Sequence, residues 1–576
     1  MHLPRPPVKP TRITRAFVAV LLLAGLAAFG PGSSAAGDAT ASAAAWAKQI
    51  CRLVPADELQ RTYNSYRPDR SGDIQFFAKP PDFVGSGLPH VGPWDYVETV
   101  PMLWYGPGYV KPGVTVRRPV TLADMAHTEA ALLNYDFDAP DARPMSEALV
   151  PESQRKTPPK LIVTVIWDAA GMVTLGAYKD LGGWPSAWPY LKSLQSQGTW
   201  YSDATVGLSP TSTAQSHATI GTGTMPMYHG LIAHHFRIGD EMTTPWSQGS
   251  RLLDLPTLSD LYDRASGNKP IIAAIGTVPI HLGMESHGTA WGGGDRDIAI
   301  ITNVNNPKTL GDESPTWGMT SSLRPYYTTP SWVDPDGDPT TVDYRRAQYD
   351  KYVKELDQQD GKLDGKWRGQ YSLDTEQTLY GFESPARIPW ETDLVKDLIK
   401  RAGLGQDETP DLLFVNYKVI DYVSHVQSMN SLYMKDSVQW QDDSLRTLVA
   451  YLDKEVGKGN YVLNVTADHG AMPDPKVTGA FVASPGKIGS AVNDEFGEGT
   501  VMLTQNTTAF LDLSLLESRD YTVDDVARFV GGLTKGETYL EGSQYSQNEV
   551  NDKLFVASFP SYLLPEMPCV KTVPLN

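Results

Sequence analysis

The sequence predicts an α/β fold with a central, mostly parallel β-sheet flanked by helices. Four apolar runs rich in β-branched residues have the pattern of central strands in such a sheet, and they lie at 160–167, 270–276, 411–418 and 461–467. Helical patterns, such as WPYLKSLQSQG and TDLVKDLIKRAG, lie between the runs. Because strand and helix patterns alternate along the chain, the sequence indicates a parallel α/β architecture.

Acidic residues follow three of the predicted strands: Asp168, Asp421 and Asp468. Ligands of open α/β sheets bind at the carboxyl ends of the strands, so these acids can converge on one site. His425 follows Asp421 by four residues, which places both on one face of a helix or tight turn, and His469 directly follows Asp468. Carboxylates and imidazoles together suit Zn²⁺ better than Mn²⁺ or Mg²⁺. Each piece alone also fits a structural role, but the set predicts a metal site.

A hydroxyl-rich segment, SPTSTAQSHATIGTGTMPMYHGLIAHHF at 209–236, follows the strand-like stretch TWYSDATVG. Such a segment can place a hydroxyl at a helix N-terminus, where the helix dipole and free N–H groups favour an anion. A threonine hydroxyl next to a metal is an activated nucleophile that needs no side-chain base. Taken alone, the segment also fits a simple N-cap and turn.

Composition limits the class of protein. The 576 residues are 41% hydrophobic and 20% charged, which is enough to bury a large core in two to four domains or in one large domain with insertions. A net charge of −18 argues against a nucleic-acid backbone as the main partner. A small anionic substrate stays open, because bound divalent cations can reverse the local field.

The N-terminus has the pattern of a secretory signal peptide. Basic residues between Arg5 and Arg15 precede an apolar stretch at 16–30, and small residues then predict cleavage near Ala36. An uncleaved anchor is the alternative. No other stretch is long and apolar enough to span a bilayer, so we expect a secreted or periplasmic protein without a membrane span after signal removal.

The chain has only two cysteines, Cys51 and Cys569. In an exported protein they are expected to form a disulfide, and two unpaired thiols are the alternative. If the two residues pair, the two ends of the mature chain meet in space.

The order of these motifs resembles the alkaline phosphatase superfamily. The likeness is closest to its Thr-nucleophile members, the type I phosphodiesterase/nucleotide pyrophosphatase branch and the Thr-type alkaline phosphatases. TAQSHATIGTG resembles the nucleophile stretch of the family, in which a Thr stands four residues before a His; this identifies Thr213 as the nucleophile and His217 as a structural histidine. MPMYHGLI resembles the P-x-x-H-G-I turn, DYVSH the D-x-x-x-H pair, and TADHGAM the S/T-x-D-H-G-M strand end.

The resemblance implies an alkaline phosphatase-like sheet that carries two divalent metal ions, with zinc preferred. It implies that the first ion is held by Asp168, Thr213, Asp468 and His469. It implies that the second ion is held by Asp421, His425 and one further histidine downstream. The first ion would activate Thr213, the second would stabilise the leaving-group oxygen, and a phospho-Thr213 intermediate would form and be hydrolysed.

No histidine follows His469, so the last ligand is missing from its usual place. In the family that histidine precedes a strand of the form V-P-x-x-x-Y-G-P-G and a helix. Here LPHVGPWDY, VPMLWYGPG and LADMAHTEAALL carry these features ahead of the first predicted strand. We infer a circular permutation in which His90 is the third ligand of the second ion, although His90 alone also fits a loop histidine. The pair Cys51–Cys569 would then join the new chain ends.

The permutation suggests a division of the chain into five parts. They are a signal peptide at 1–36, a permuted catalytic segment carrying the last ligand at 37–159, a catalytic core with the nucleophile at 160–282, a cap insertion at 283–395 and the second half of the core at 396–576. The cap is inferred from a composition rich in Trp, Tyr, Pro, Gly and charge.

Two departures from the family pattern bear on specificity. His234 stands where the family has an Asn that contacts a phosphoryl oxygen; an imidazole N–H can take this role, and a surface histidine is the alternative. The Lys-x-Arg element of Thr-type monoesterases is absent after PIIAAIG, where the chain reads GTVPIHLGMESHG. A monoester dianion would lose two cationic partners, which favours a diester or pyrophosphate, unless the cap supplies others such as Arg345 or Arg346.

The predicted function is therefore an exported metal-dependent phosphoric ester hydrolase that acts on a small phosphate ester, with a preference for phosphodiester or nucleotide pyrophosphate substrates. A phosphomonoesterase of the same fold is the alternative. A non-catalytic exported binding protein is the alternative from another class, and it would be expected to have lost some of the ligands.

Overall fold

The structure is a computed structural model, which describes residues 35–155, 157–178, 181–246, 248–302, 322–333, 346–374, 383–541 and 547–572. Residues 47–576 belong to one compact unit. The apolar stretch at 16–30 of the predicted signal peptide lies outside the described residues, as does Arg345, and the side chain of Arg346 is likewise not described.

Strands and helices follow one another along most of the described chain. The strands are β1 (Ile74–Ala78), β2 (Phe83–Val84), β3 (Met102–Tyr105), β4 (Val114–Val116), β5 (Val120–Thr121), β6 (Leu161–Trp167), β7 (Thr199–Tyr201), β8 (Ala204–Thr205), β9 (Phe236–Ile238), β10 (Glu241–Thr243), β11 (Ile272–Gly276), β12 (Ile298–Ile301), β13 (Lys366–Trp367), β14 (Tyr371–Ser372), β15 (Asp411–Tyr417), β16 (Tyr461–Thr466), β17 (Val482–Ala483), β18 (Val501–Thr504), β19 (Thr508–Leu511) and β20 (Phe555–Pro560). The α-helices are α1 (Ala35–Leu53), α2 (Ala56–Asn64), α3 (Asp95–Glu98), α4 (Asp124–Leu133), α5 (Pro189–Gln195), α6 (Thr213–Thr222), α7 (Pro226–His229), α8 (Leu258–Ala265), α9 (Arg346–Asp357), α10 (Arg387–Ala402), α11 (Val419–Gln427), α12 (Leu432–Leu452), α13 (Pro475–Thr478), α14 (Pro485–Phe496), α15 (Leu513–Ser518), α16 (Val523–Val530) and α17 (Lys535–Thr538).

The central sheet has the order β12-β11-β15-β6-β16-β3-β7-β4 within the described residues. Its strands β6, β11, β15 and β16 coincide with the four apolar runs, and β12, β11, β15, β6 and β16 run parallel to one another. Every residue of β6, β15 and β16 is buried. Helices cover both faces of such a sheet, which is why these strands are apolar throughout rather than alternating. The predicted α/β class with a mostly parallel central sheet is confirmed.

The N-terminal segment is built into this sheet. Strand β3 runs antiparallel to β16, with Leu103 opposite Val465, and β7 runs antiparallel to β3. A second sheet, of order β18-β19-β1-β20, also joins the two ends of the chain, because β1 lies between β19 and β20. Residues that precede the first predicted strand therefore complete the core.

A disulfide bond joins Cys51 to Cys569, whose Cα atoms are 5.9 Å apart although the residues are 518 positions apart in the chain. The predicted pairing is present, and the two chain ends meet. No helix in the described part of the chain combines the length and the apolar character that a membrane span needs.

The segment 283–395, predicted to be a cap insertion, is divided in the structure. Its residues Ile298–Ile301 form β12, which is the edge strand of the central sheet and pairs in parallel with β11. The helix α9 also lies within this segment. Part of this segment therefore belongs to the core, and the domain division as a whole stays a prediction.

Candidate active site

Three adjacent strands deliver the acidic residues of the site. In the sheet β6 lies between β15 and β16, and all three run in parallel. Asp168 directly follows β6, Asp421 lies in the first turn of α11 just after β15, and Asp468 follows β16. Because parallel neighbours end on the same edge of a sheet, the three carboxylates converge there, as the sequence predicted.

The first cluster consists of Asp168, Asp468 and His469, which are fully buried. One ligand atom from each lies within 4.8 Å of the others. His469 Nε2 is 3.2 Å from Asp468 Oδ2 and 3.7 Å from Asp168 Oδ1. The other ring nitrogen, Nδ1, lies 3.0 Å from the Gly470 carbonyl oxygen. A carbonyl only accepts, so Nδ1 carries the proton and Nε2 presents its lone pair to the cluster.

The second cluster consists of His90, Asp421 and His425, again with ligand atoms within 4.8 Å of one another. Asp421 Oδ1 is 3.5 Å from His90 Nε2 and 3.4 Å from His425 Nε2. His90 Nδ1 donates to the Thr211 carbonyl oxygen at 3.1 Å, and His425 Nδ1 donates to the Leu88 carbonyl oxygen at 2.9 Å. Both rings therefore turn Nε2 towards Asp421, in the orientation that metal-binding histidines adopt.

Thr213 lies beside the first cluster. It is the first residue of α6, after the N-cap residue Ser212, and it is 1% exposed. Its Oγ1 is 3.3 Å from His469 Nε2. The hydroxyl is thus at the N-terminus of a helix, where the dipole favours negative charge, as the sequence predicted. His217 lies one turn later, and its Nδ1 donates to the Thr213 carbonyl oxygen at 2.7 Å; with His281 it also forms a group of possible metal ligands around Asp168.

Both clusters are chemically suited to divalent cations. Asp421 Oδ1 and Asp468 Oδ2 are buried and have no hydrogen-bond partner among the described residues. A buried carboxylate oxygen without a partner is costly, and a bound cation would remove that cost. The donor sets of carboxylate oxygen and imidazole nitrogen are those that zinc prefers. The residues present therefore fit two metal positions, one for each cluster.

Electrostatics differ between the two clusters. Burial, together with the neighbouring Asp168 carboxylate, raises the pKa of Asp468 well above its usual range. Burial acts in the same direction on Asp421, but the adjacent Lys418 ammonium outweighs it and holds the pKa of Asp421 well below its usual range. Lys418 is therefore the main source of positive charge near Asp421.

Sequence reasoning missed Lys418 and Asn416. Lys418 follows β15 and is 4% exposed, and its Nζ contacts carboxylates of both clusters. Asn416 Nδ2 donates to Asp168 Oδ2 at 3.0 Å and lies 2.9 Å from His217 Nε2. The signal for Lys418 was its position three residues before Asp421, which places both on one side of the turn into α11.

His234 lies at the side of this site, on a cavity of about 350 Å³ whose lining includes Ser212 and Trp246. Its ring is 5.0 Å from that of Trp246, and its Nε2 has no hydrogen-bond partner in the described part of the chain. Burial and the nearby Lys418 charge lower the pKa of His234 to about 3. The next residue, His235, is exposed. The cavity thus brings an unpaired imidazole next to the N-cap of the nucleophile helix.

The sequence profile of the family described as "Type I phosphodiesterase / nucleotide pyrophosphatase" matches residues 177–484, more than half of the chain. A protein of Elizabethkingia meningoseptica named alkaline phosphatase PafA is 25% identical over 437 residues, which cover 65% of this chain and 72% of that protein. A Myroides odoratus protein named calcium-transporting ATPase is 24% identical over 427 residues, covering 65% and 73% of the two chains.

A shorter match links the chain to a protein of Synechococcus elongatus named alkaline phosphatase PhoV, 41% identical over 83 residues, which cover 14% of this chain and 15% of that one. Among solved structures, wild-type alkaline phosphatase PafA at 1.7 Å resolution aligns with a TM-score of 0.47 and 18% identity, covering 70% of this chain and 84% of that chain.

Proposed function

The chain belongs to the type I phosphodiesterase/nucleotide pyrophosphatase family of the alkaline phosphatase superfamily, and on that basis we propose that it is an exported, metal-dependent phosphoric ester hydrolase that uses Thr213 as its nucleophile. That it is a phosphoester hydrolase follows from the family. The metal dependence, the phospho-threonine intermediate and the export are the proposal. The non-catalytic alternative is set aside by the family membership.

The observation that carries the proposal is the position of the Thr213 hydroxyl beside the first of two adjoining clusters of metal-binding side chains. Asp168, Asp468 and His469, together with Thr213, would hold one divalent ion, and His90, Asp421 and His425 would hold the other. Such ions supply Lewis acidity, which lowers the pKa of a bound hydroxyl and stabilises the leaving oxygen. Zinc is our proposal for both positions, because each combines carboxylate and imidazole donors.

In the proposed reaction the Thr213 oxygen attacks the phosphorus of the ester in line with the leaving group. The P–O bond to the leaving group breaks as the bond from Thr213 forms, and the hydroxyl proton is lost to solvent. Water then attacks the phosphorus of phospho-Thr213, which releases phosphate or its monoester and restores the hydroxyl. The N-terminus of α6 favours the negative charge that develops near Thr213.

The preferred substrate class in this proposal is a phosphodiester or nucleotide pyrophosphate, since no Lys-x-Arg element follows β11. The cavity next to Ser212 offers room for a second ester group, and His234 can donate a hydrogen bond there.

One observation favours the second candidate, a phosphomonoesterase: the Lys418 ammonium lies 3.1 Å from Thr213 Oγ1, where it could partner the extra charge of a dianion. Two of the similar proteins described above carry the name alkaline phosphatase.

Export is supported by the basic and apolar start of the sequence and by the Cys51–Cys569 disulfide, since such bonds persist in oxidising compartments. The circular permutation is part of the same proposal. Its support is that His90, which precedes the first predicted strand, completes the cluster of Asp421 and His425. The strand β3 that follows His90 also lies beside β16.

The experiment that tests this function combines turnover with trapping of the intermediate. The purified protein is assayed with bis-p-nitrophenyl phosphate and p-nitrophenyl phosphate, and acid-quenched samples are examined by mass spectrometry. We expect phosphate on the peptide containing Thr213, a loss of at least about a thousandfold in kcat/KM in Thr213→Ala, and a smaller loss in Thr213→Ser. Turnover that survives in Thr213→Ala would contradict the role of this residue, and the better substrate decides between the two candidates.

A further inference from the structure

Lys418 makes its contacts at the centre of the site rather than at its edge. Its Nζ donates to Asp421 Oδ2 at 2.8 Å, to Asp168 Oδ1 at 2.9 Å and to Thr213 Oγ1 at 3.1 Å. An ammonium group has three N–H donors, so these three acceptors use all of them. The side chain is 4% exposed. One buried cation thus links the proposed nucleophile to one carboxylate of each cluster.

The two clusters are affected unequally by this lysine. Asp421 gives Oδ2 to Lys418 and keeps Oδ1, which faces His90 and His425 and has no other partner among the described residues. The three donor atoms of the second cluster therefore remain free while Lys418 is in place. Metal binding there does not require the lysine to move.

In the first cluster, by contrast, Lys418 occupies proposed metal-binding atoms. Asp168 Oδ1 and Thr213 Oγ1 both accept hydrogen bonds from Lys418. The other oxygen of Asp168, Oδ2, already accepts from Asn416 Nδ2 at 3.0 Å. A zinc ion binds oxygen at roughly 2.0–2.2 Å, so an ion on Asp168 and Thr213 would lie close to the ammonium bound to the same two atoms. Two cations so close in a buried site repel each other strongly.

We propose that Lys418 is an internal competitor for the first metal position, so that the two positions fill in order. The cluster of His90, Asp421 and His425 takes its ion while the lysine stays in place. The cluster of Asp168, Asp468 and His469 takes its ion only when Lys418 releases Asp168 and Thr213. This inference rests on the proposed two-metal function and adds an order and a difference in affinity to it.

The test is a zinc titration of the metal-free protein in competition with a chromophoric chelator. Wild type is compared with Lys418→Met, which keeps an unbranched side chain one atom shorter and removes its charge, and with Lys418→Gln. The control is Lys535→Met: Lys535 is also buried and its Nζ is 2.8 Å from Asp82 Oδ2, but it has no contact with either cluster among the hydrogen bonds and ion pairs of the described residues. It reports the effect of losing a buried lysine elsewhere.

We expect wild type to bind two zinc ions with dissociation constants that differ by about tenfold or more. In Lys418→Met the weaker dissociation constant should fall by about tenfold or more while the stronger one changes little. Lys535→Met should behave as wild type. The thermal midpoint of Lys418→Met should also rise more on zinc addition than that of wild type, because Asp168 and Asp421 have then lost their internal cation.

If the two zinc ions bind wild type with equal dissociation constants, the proposed competition by Lys418 is wrong. This measurement needs no variant. An unchanged weaker affinity in Lys418→Met and Lys418→Gln would overturn the competition as well. In both cases the two-metal function would survive. A wild type that binds no zinc would overturn the function and the competition together.

Discussion

The imidazole ring of His90 stacks on that of His469, with ring centroids 3.7 Å apart and ring planes 13° from parallel. His469 belongs to the first cluster and follows β16, whereas His90 belongs to the second and lies ahead of β3. The stack therefore joins the two clusters, and it does so through a residue from the N-terminal part of the chain.

The imidazole of His234 is predicted to bind the phosphoryl group. His234→Ala should lower kcat/KM for phosphate esters by roughly tenfold to a hundredfold, because a hydrogen bond to a charged group contributes about 1.5–3 kcal/mol. The loss should appear mainly in KM, and His234→Asn, which restores an N–H donor, should recover much of it. Steady-state kinetics with both nitrophenyl esters measure this.

The neighbouring residue provides the control for that prediction. His235 lines the same cavity but is exposed to solvent, so His235→Ala should change KM much less than His234→Ala does. Zinc content should be the same in all of these variants. Equal effects of His234→Ala and His235→Ala would mean that His234 does not contact the substrate.

Glu129 is predicted to make stability depend on pH. It is fully buried in α4, it accepts a hydrogen bond from Thr164 in β6 at 2.6 Å, and burial raises the pKa of its carboxyl from 4.5 to about 7. A raised pKa in the folded state means that the stabilising contribution is complete below pH 4.5 and is lost as the pH rises to about 7. The loss is about 3 kcal/mol as an upper estimate.

The measurement is urea unfolding of wild type and Glu129→Gln between pH 4.5 and 8. Gln can still accept from Thr164 but does not titrate, so the stability of wild type relative to the variant should fall with rising pH. The exposed Glu152→Gln is the matched control and should follow wild type. A difference that is independent of pH would show that Glu129 does not ionise in this range.

The Cys51–Cys569 bond is predicted to stabilise the fold without taking part in the reaction. It closes a very long loop, and removing it with Cys51→Ser/Cys569→Ser should lower the free energy of unfolding by about 2–4 kcal/mol. The bond lies outside both clusters, so kcat/KM should change less than about twofold. Urea midpoints and kinetics test the two statements.

A reducing agent supplies the control for the disulfide. The chain has no other cysteine, so a phosphine reductant, which lacks the zinc-binding thiols of dithiothreitol, should bring wild type to the stability of the double variant and leave that variant unchanged. If the double variant is as stable as wild type, the bond does not hold the chain ends together in the way we infer.

The strands and clusters could be predicted because their signals are local. Parallel strands with both faces covered leave unbroken apolar runs, and the acids that follow them mark the edge where the site forms. His90 could be proposed as a ligand because its flanking residues resemble a family segment, not because of its position in the chain. The disulfide followed from the count of cysteines.

Other features depend on contacts that no local pattern records. Lys418 comes at the end of an apolar strand, where a charge is typical of a strand end that meets solvent, yet it is buried between Asp168 and Asp421. The short run of β12 lies in a polar region and becomes part of the core only by pairing with β11. The sheet of β1, β19 and β20 pairs residues from opposite ends of the chain.

Under the proposed function, His90 of the N-terminal segment completes a two-metal site. Elemental analysis of purified wild type and His90→Ala tests it, with His127→Ala as the control, a buried histidine of the same segment whose Nε2 lies 3.2 Å from the Gly223 carbonyl oxygen. We predict two zinc ions per chain in wild type and in His127→Ala, and about one in His90→Ala together with a collapse of hydrolysis. An unchanged zinc count and rate in His90→Ala would contradict both the ligand role of His90 and the permutation.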